Sequence, residues 1–135
     1  MPPRRSLVPS RRTEPEEVVR QALIAHLVGD LGVPRACIRQ ELSLSSLDPG
    51  VRDRVDLVVH AADGAVLRPV LLAECKAPHV ALDEQVERQV RRYLRLVPAP
   101  WVVLANGPSM LVYRIAGNEW IPSALPSTWN ELKTS

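Results

Sequence analysis

The chain has 135 residues, 46% hydrophobic and 24% charged, which indicates one compact domain with a real core and leaves no room for a motor or a second catalytic module. The formal net charge is only +2, yet Lys76 and Lys133 are the sole lysines in a basic set of 17, and arginine is favoured where phosphate must be gripped. No window reaches the ~20 apolar residues of a membrane helix, and the N-terminal MPPRRSLVPSRR lacks the apolar core of a secretory signal, so a cytoplasmic protein without membrane contact is expected.

Residues 1–12 combine Pro, Ser and the pairs Arg4-Arg5 and Arg11-Arg12, a composition that reads as a flexible basic arm and leaves residues 13–135 as the domain. Thr13 followed by Glu16 fits a capping box with Pro15 in the first turn, so a helix starts near Glu14 and runs toward Asp30. Val19, Ala22, Leu23, His26 and Leu27 share one face of it, and Gly32 and Pro34 end it. Cys37 to Leu44, Arg54 to Ala61 and Pro69 to Lys76 then read as strands of an antiparallel meander, with turns at Asp48-Pro49-Gly50 and Asp63-Gly64. A second helix is expected from Leu82 to Val97, stopped by Pro98 and Pro100. WVVLAN (101–106) and SMLVYRIA (109–116) are two further strands joined by a tight turn at Asn106-Gly107, and the tail, with Pro122 and Pro126, reads as irregular. The order α-β-β-β-α-β-β predicts an α/β sandwich, a central mixed sheet flanked by helices, in which the crossover helix makes the third and fourth strands parallel.

The chemistry concentrates in LLAECKAP, residues 71–78. Glu74 and Lys76 lie two apart on a strand, so they leave the sheet on the same face while Cys75 faces the other side. If the preceding strand pairs as a meander, Asp56 stands beside Glu74. Two carboxylates so placed repel unless a cation joins them, and hard oxygen ligands with room for water suit Mg²⁺ or Mn²⁺. Such a metal, with Lys76 on the attacking water, describes phosphodiester hydrolysis. An isolated acid-x-Lys is more often a surface ion pair. Here it follows the apolar VLLA of a central strand, where charge is costly without a role.

On the second helix Leu82, Val86, Val90, Tyr93, Leu94 and Val97 fill the arc that packs on the sheet, while Arg88, Arg91, Arg92 and Arg95 fill another, with Gln85 and Gln89 at the border. The basic arc suits a nucleic-acid backbone, although Glu84 and Glu87 stand at the spacing that would neutralise Arg88 and Arg91. Cys37 and Cys75 lack metal-ligand spacing and read as reduced core residues. His26, His60 and His79 read as packed or surface histidines, and Trp101, Trp120 and Trp129 as core or edge anchors.

R-V-D (54–56), E-C-K (74–76) and Q-V-R-R-Y (89–93) resemble the Asp, Glu-x-Lys and Gln-x-x-x-Tyr motifs of the PD-(D/E)XK nucleases. With T-E-P-E-E-V-V-R-Q (13–21) and L-A-N-G (104–107) they resemble, over residues 13–116, the N-terminal nuclease domain of type I restriction enzyme R subunits in a stand-alone form. The resemblance implies a restriction-endonuclease-like fold and a Mg²⁺-dependent endodeoxyribonuclease. It implies Asp56, Glu74 and the Cys75 carbonyl as metal ligands, Lys76 as the catalytic lysine, Glu16 (or Glu17) as an acid near the metal, and Gln89 and Tyr93 as support; from the helix faces, Gln85 and Tyr93 are expected beside the DNA with the arginines. Val55 replaces the proline that some members carry before the aspartate. No G-x-x-x-x-G-K-[ST] is present, so no ATP-driven translocation is expected. DNA is the expected partner, with a homodimer or the subunits of a restriction or defence complex beside it. The alternative is a nucleic-acid-binding or assembly module that keeps the fold without the reaction.

Overall fold

A computed structural model describes residues 14–135; the basic arm at 1–12 and Thr13 of the capping box lie outside the described residues. Helix α1 (Glu14–His26) continues as a wider turn over Leu27–Leu31. It stops at Gly32, whose φ of +81° is the left-handed conformation that glycine adopts without a Cβ penalty. Strands β1 (Ile38–Ser43), β2 (Arg54–Asp63) and β3 (Val66–Cys75) form the antiparallel meander. Helix α2 (Glu84–Leu94) then crosses over to β4 (Trp101–Ala105), which pairs parallel to β3, and β5 (Met110–Ala116) returns antiparallel.

Three boundaries depart from the sequence expectation. β3 begins at Val66, ahead of Pro69, because the ladder shifts register between Val59 and His60, opposite that proline, and the irregularity accommodates a residue with no N–H to donate. α2 is shorter than the apolar pattern suggested: Asp83 caps it by accepting from the N–H groups of Gln85 and Val86, and it ends at Leu94. The tail is not irregular. A two-residue turn at Gly117-Asn118, with Gly117 at φ +62°, leads into β6 (Glu119–Pro122), and Thr128 caps α3 (Trp129–Thr134) by accepting from the Glu131 N–H.

The six strands run in the order β1-β2-β3-β4-β5-β6 in one mixed sheet. One face carries a core in which Val19, Leu23 and Ile24 of α1 and Leu132 of α3 meet Leu57, Leu71, Ala73 and Val103. The other carries Val86, Val90 and Tyr93 of α2 against Val58, Leu72, Val102 and Leu104. Leu132 is fully buried, and burying a leucine contributes about 1.5–3 kcal/mol, which is why this short terminal helix stays docked. Cys37 and Cys75 are free thiols. No helix among the described residues is long and apolar enough to cross a membrane.

Candidate active site

The two antiparallel registers fix where Asp56 stands. Leu57 pairs with Ala73, so continuing that register one step brings Asp56 opposite Glu74. The ladder is not continued by backbone bonds there: the Cys75 N–H donates instead to Asp56 Oδ2 at 2.6 Å. On the other side of β2, Glu41 lies between the pairs Gln40 with Leu57 and Leu42 with Val55, and it holds a φ of +50°, which is uncommon for a non-glycine residue. The regular sheet thus gives way on both sides of Asp56.

Asp56 and Glu74 are both fully buried. Buried carboxylates persist only with compensating partners, because desolvation of a charge is costly. Glu74 finds one in Lys76, whose Nζ is 3.0 Å from Glu74 Oε2 and donates to Gln89 Oε1 at 3.0 Å. Gln89 in turn donates from Nε2 to the Tyr93 hydroxyl at 2.6 Å. Glu74, Lys76, Gln89 and Tyr93 therefore form one row from the end of β3 across to α2, joined by an ion pair at the Glu74–Lys76 step and by hydrogen bonds beyond it. An ammonium has three N–H groups; one of those on Lys76 donates to Gln89, and its charge pairs with Glu74. The Lys76 side chain is 19% exposed against 0% for Glu74, so Lys76 is the member of the pair that solvent and a substrate reach.

Tyr93 is 2% exposed. The DNA-facing position read from the sequence is not an exposed one: the apolar arc that carries Tyr93 packs on the sheet, its hydroxyl accepts from Gln89, and the residue borders a cleft without standing on the open surface. Glu17 is engaged by Arg20, whose Nε donates to it at 3.0 Å, and by Gln21 at 2.8 Å. Glu16 does not complete a three-acid cage with Asp56 and Glu74: among the described residues no group of three His, Cys, Asp or Glu side chains is placed to hold a metal ion. Arg88 and Arg91 sit 3.8 and 3.6 Å from Glu84 and Glu87 on their own helix, and Arg91 also stacks over Trp120 at 4.5 Å. Arg92 and Gln85 are exposed on α2, and Arg95 is exposed at its C-cap.

One residue with a part in the site was read from sequence as turn chemistry alone. Asn106 is 8% exposed; its amide donates to the Val80 carbonyl at 2.9 Å, and its oxygen accepts from the Ser109 N–H at 2.9 Å. Together with the Lys76 N–H, which donates to the Ala105 carbonyl at 2.8 Å, it ties the segment between β3 and α2 to the end of β4. That segment sets how Lys76 meets Gln89. The Asn-Gly pair announces a turn, and only the fold reveals that the asparagine reaches a second loop.

The donor set bears on whether a cation fits. Two buried carboxylates supply hard oxygens, and Mg²⁺ is commonly held by one or two carboxylates with water and substrate oxygens completing the shell. The residues present match that pattern. Among family models, that of the type I restriction enzyme R protein N terminus matches residues 15–124. No curated protein and no solved structure matches the chain.

Proposed function

Since the chain belongs to the type I restriction enzyme R protein N-terminal family, we propose that it is a metal-dependent nuclease that hydrolyses DNA phosphodiester bonds, built on a PD-(D/E)XK centre within a restriction-endonuclease-like sandwich. The observation that carries this reading is the row Glu74, Lys76, Gln89 and Tyr93 beside Asp56, at the place where the β2–β3 ladder ends.

Mg²⁺ or Mn²⁺ held by Asp56 and Glu74, with the Cys75 carbonyl, would supply Lewis-acid polarisation of a phosphate oxygen. The chain's own groups do the rest. Lys76 directs an N–H at the attacking water or a phosphate oxygen and offsets negative charge as the new P–O bond forms. Gln89 holds the lysine so that this donor is oriented before the substrate arrives, and Tyr93 holds Gln89. One such centre cuts one strand, so a double-strand break requires a second copy or partner subunits of a restriction system.

Binding of Mn²⁺ to the whole chain, followed by calorimetry or by loss of the free-ion paramagnetic signal, tests the donor set. The wild type binds Mn²⁺, and Asp56→Asn and Glu74→Gln each weaken it at least tenfold. A wild type without measurable affinity, or variants that bind as it does, would leave the nucleic-acid-binding or assembly role in its place.

A further inference from the structure

A second arginine cluster adjoins the row. A cleft of about 340 Å³ opens between the 44–53 segment and the C-terminal half of α2, and Arg52, Arg92 and Arg95 line it together with Tyr93, Asp48 and Asp53. We propose that this cleft is a phosphate subsite that holds the backbone of the bound strand beside the scissile position, with Arg52 as a recognition residue contributed by the loop that leads into β2. The proposal rests on the nuclease reading for its substrate, and its geometry stands on three observations.

The first is charge. Arg88 and Arg91 face Glu84 and Glu87 on their own helix, whereas Arg52, Arg92 and Arg95 form no ion pair among the described residues. Of the two aspartates in the cleft, Asp48 turns back to accept from the Gly50 N–H at 3.0 Å. Three guanidinium groups against two carboxylates leave the cleft with an excess positive charge, and arginine's planar fork matches a phosphate with two parallel bonds. The second is continuity. Tyr93 is at once a wall of the cleft and the hydrogen-bond partner of Gln89, so the cleft begins where the catalytic row ends. The third is anchorage. The Leu44 N–H donates to the Asp53 carbonyl at 3.0 Å and the Val51 N–H to the Asp48 carbonyl at 2.9 Å, so the loop bearing Arg52 is folded on itself and delivered directly into Arg54, the first residue of β2.

The test is binding without cleavage. A fluorescent duplex and a single strand are titrated with the whole chain in EDTA over a range of KCl concentrations, for wild type, Arg52→Ala, Arg92→Ala, Arg95→Ala and, as a charge-matched control, Arg35→Ala in the turn that precedes β1. All four side chains belong to exposed residues, so the fold should survive each change; circular dichroism verifies it. Each cleft variant should lower the slope of log Kd against log salt by about 1, as loss of one phosphate contact does, while Arg35→Ala leaves it unchanged and polyglutamate fails to compete. Slopes equal to wild type in the three cleft variants, the same change in Arg35→Ala, competition by polyglutamate, or a wild type that binds neither nucleic acid would overturn the subsite. If the cleft variants bind as wild type while the wild type cleaves, the subsite fails and the nuclease reading stands. If the slopes change as expected while no divalent cation elicits cleavage, the reverse holds.

Discussion

Lys76 and Gln89 stand 13 residues apart in the chain and meet at 3.0 Å. The contact joins the end of a central strand to the helix that crosses over from it, so the direction of the lysine depends on how β3 and α2 are held together.

Gln89 is therefore a positioning residue. Gln89→Ala is expected to cut kcat by about 100-fold with KM little changed, the effect of losing orientation and not of losing binding. Gln89→Glu keeps an acceptor for Lys76 and should recover part of the loss. A change confined to KM in single-turnover and steady-state cleavage would contradict this role.

Asp56 has two duties that substitutions can separate. Asp56→Asn keeps an oxygen for the Cys75 N–H, so its melting temperature should stay near that of wild type while metal binding is lost. Asp56→Ala removes the acceptor as well, and loss of a buried hydrogen-bond partner costs about 1–3 kcal/mol. Urea unfolding of the two variants measures the difference.

Asn106 should matter to both stability and rate. Asn106→Ala releases the Val80 carbonyl and the Ser109 N–H, and a destabilisation of about 1–3 kcal/mol follows from two lost bonds at a buried position. Hydrogen exchange should accelerate in the segment between β3 and α2 more than in β2. Uniform acceleration would show that the asparagine supports the fold alone.

Acid stability has an identifiable contributor in His60, whose pKa is lowered from its ordinary value near 6.5, first by burial and second by the nearby Arg39 charge. The folded state resists protonation that the unfolded chain accepts, so the unfolded state binds more protons between the lowered value and 6.5. Stability is fully present above 6.5 and falls as pH drops below it. Urea midpoints at pH 7.5 and 5.5 should differ less in His60→Asn than in wild type.

Much of this arrangement was legible in the sequence because it rests on short-range rules. The period-2 patterns around Asp56 and Glu74 marked the meander, and a helix between two apolar strands required β3 and β4 to be parallel, as they are. What escaped depends on distant partners. Pro122 and Pro126 suggested an irregular tail, but Gly117-Asn118 and the Thr128, Glu131 capping pair were readable signals, and Leu132 then finds its place in the core on the α1 face of the sheet. Tyr93 and Gln89 are four residues apart on one helix, and only the packing of α2 on the sheet decides that one is buried and the other reaches Lys76. Arg52 carried no motif at all, and its meeting with Arg92 and Arg95 is a property of the fold.

Cleavage of a supercoiled plasmid and a linear single strand in Mg²⁺ or Mn²⁺, comparing wild type with Lys76→Ala, bears most directly on the central claim. The row from Glu74 to Tyr93 predicts nicked or linear product from wild type and none from the variant, with nucleic-acid affinity in EDTA retained by both. Equal cleavage by the variant, or no cleavage by wild type with any divalent cation, would contradict it.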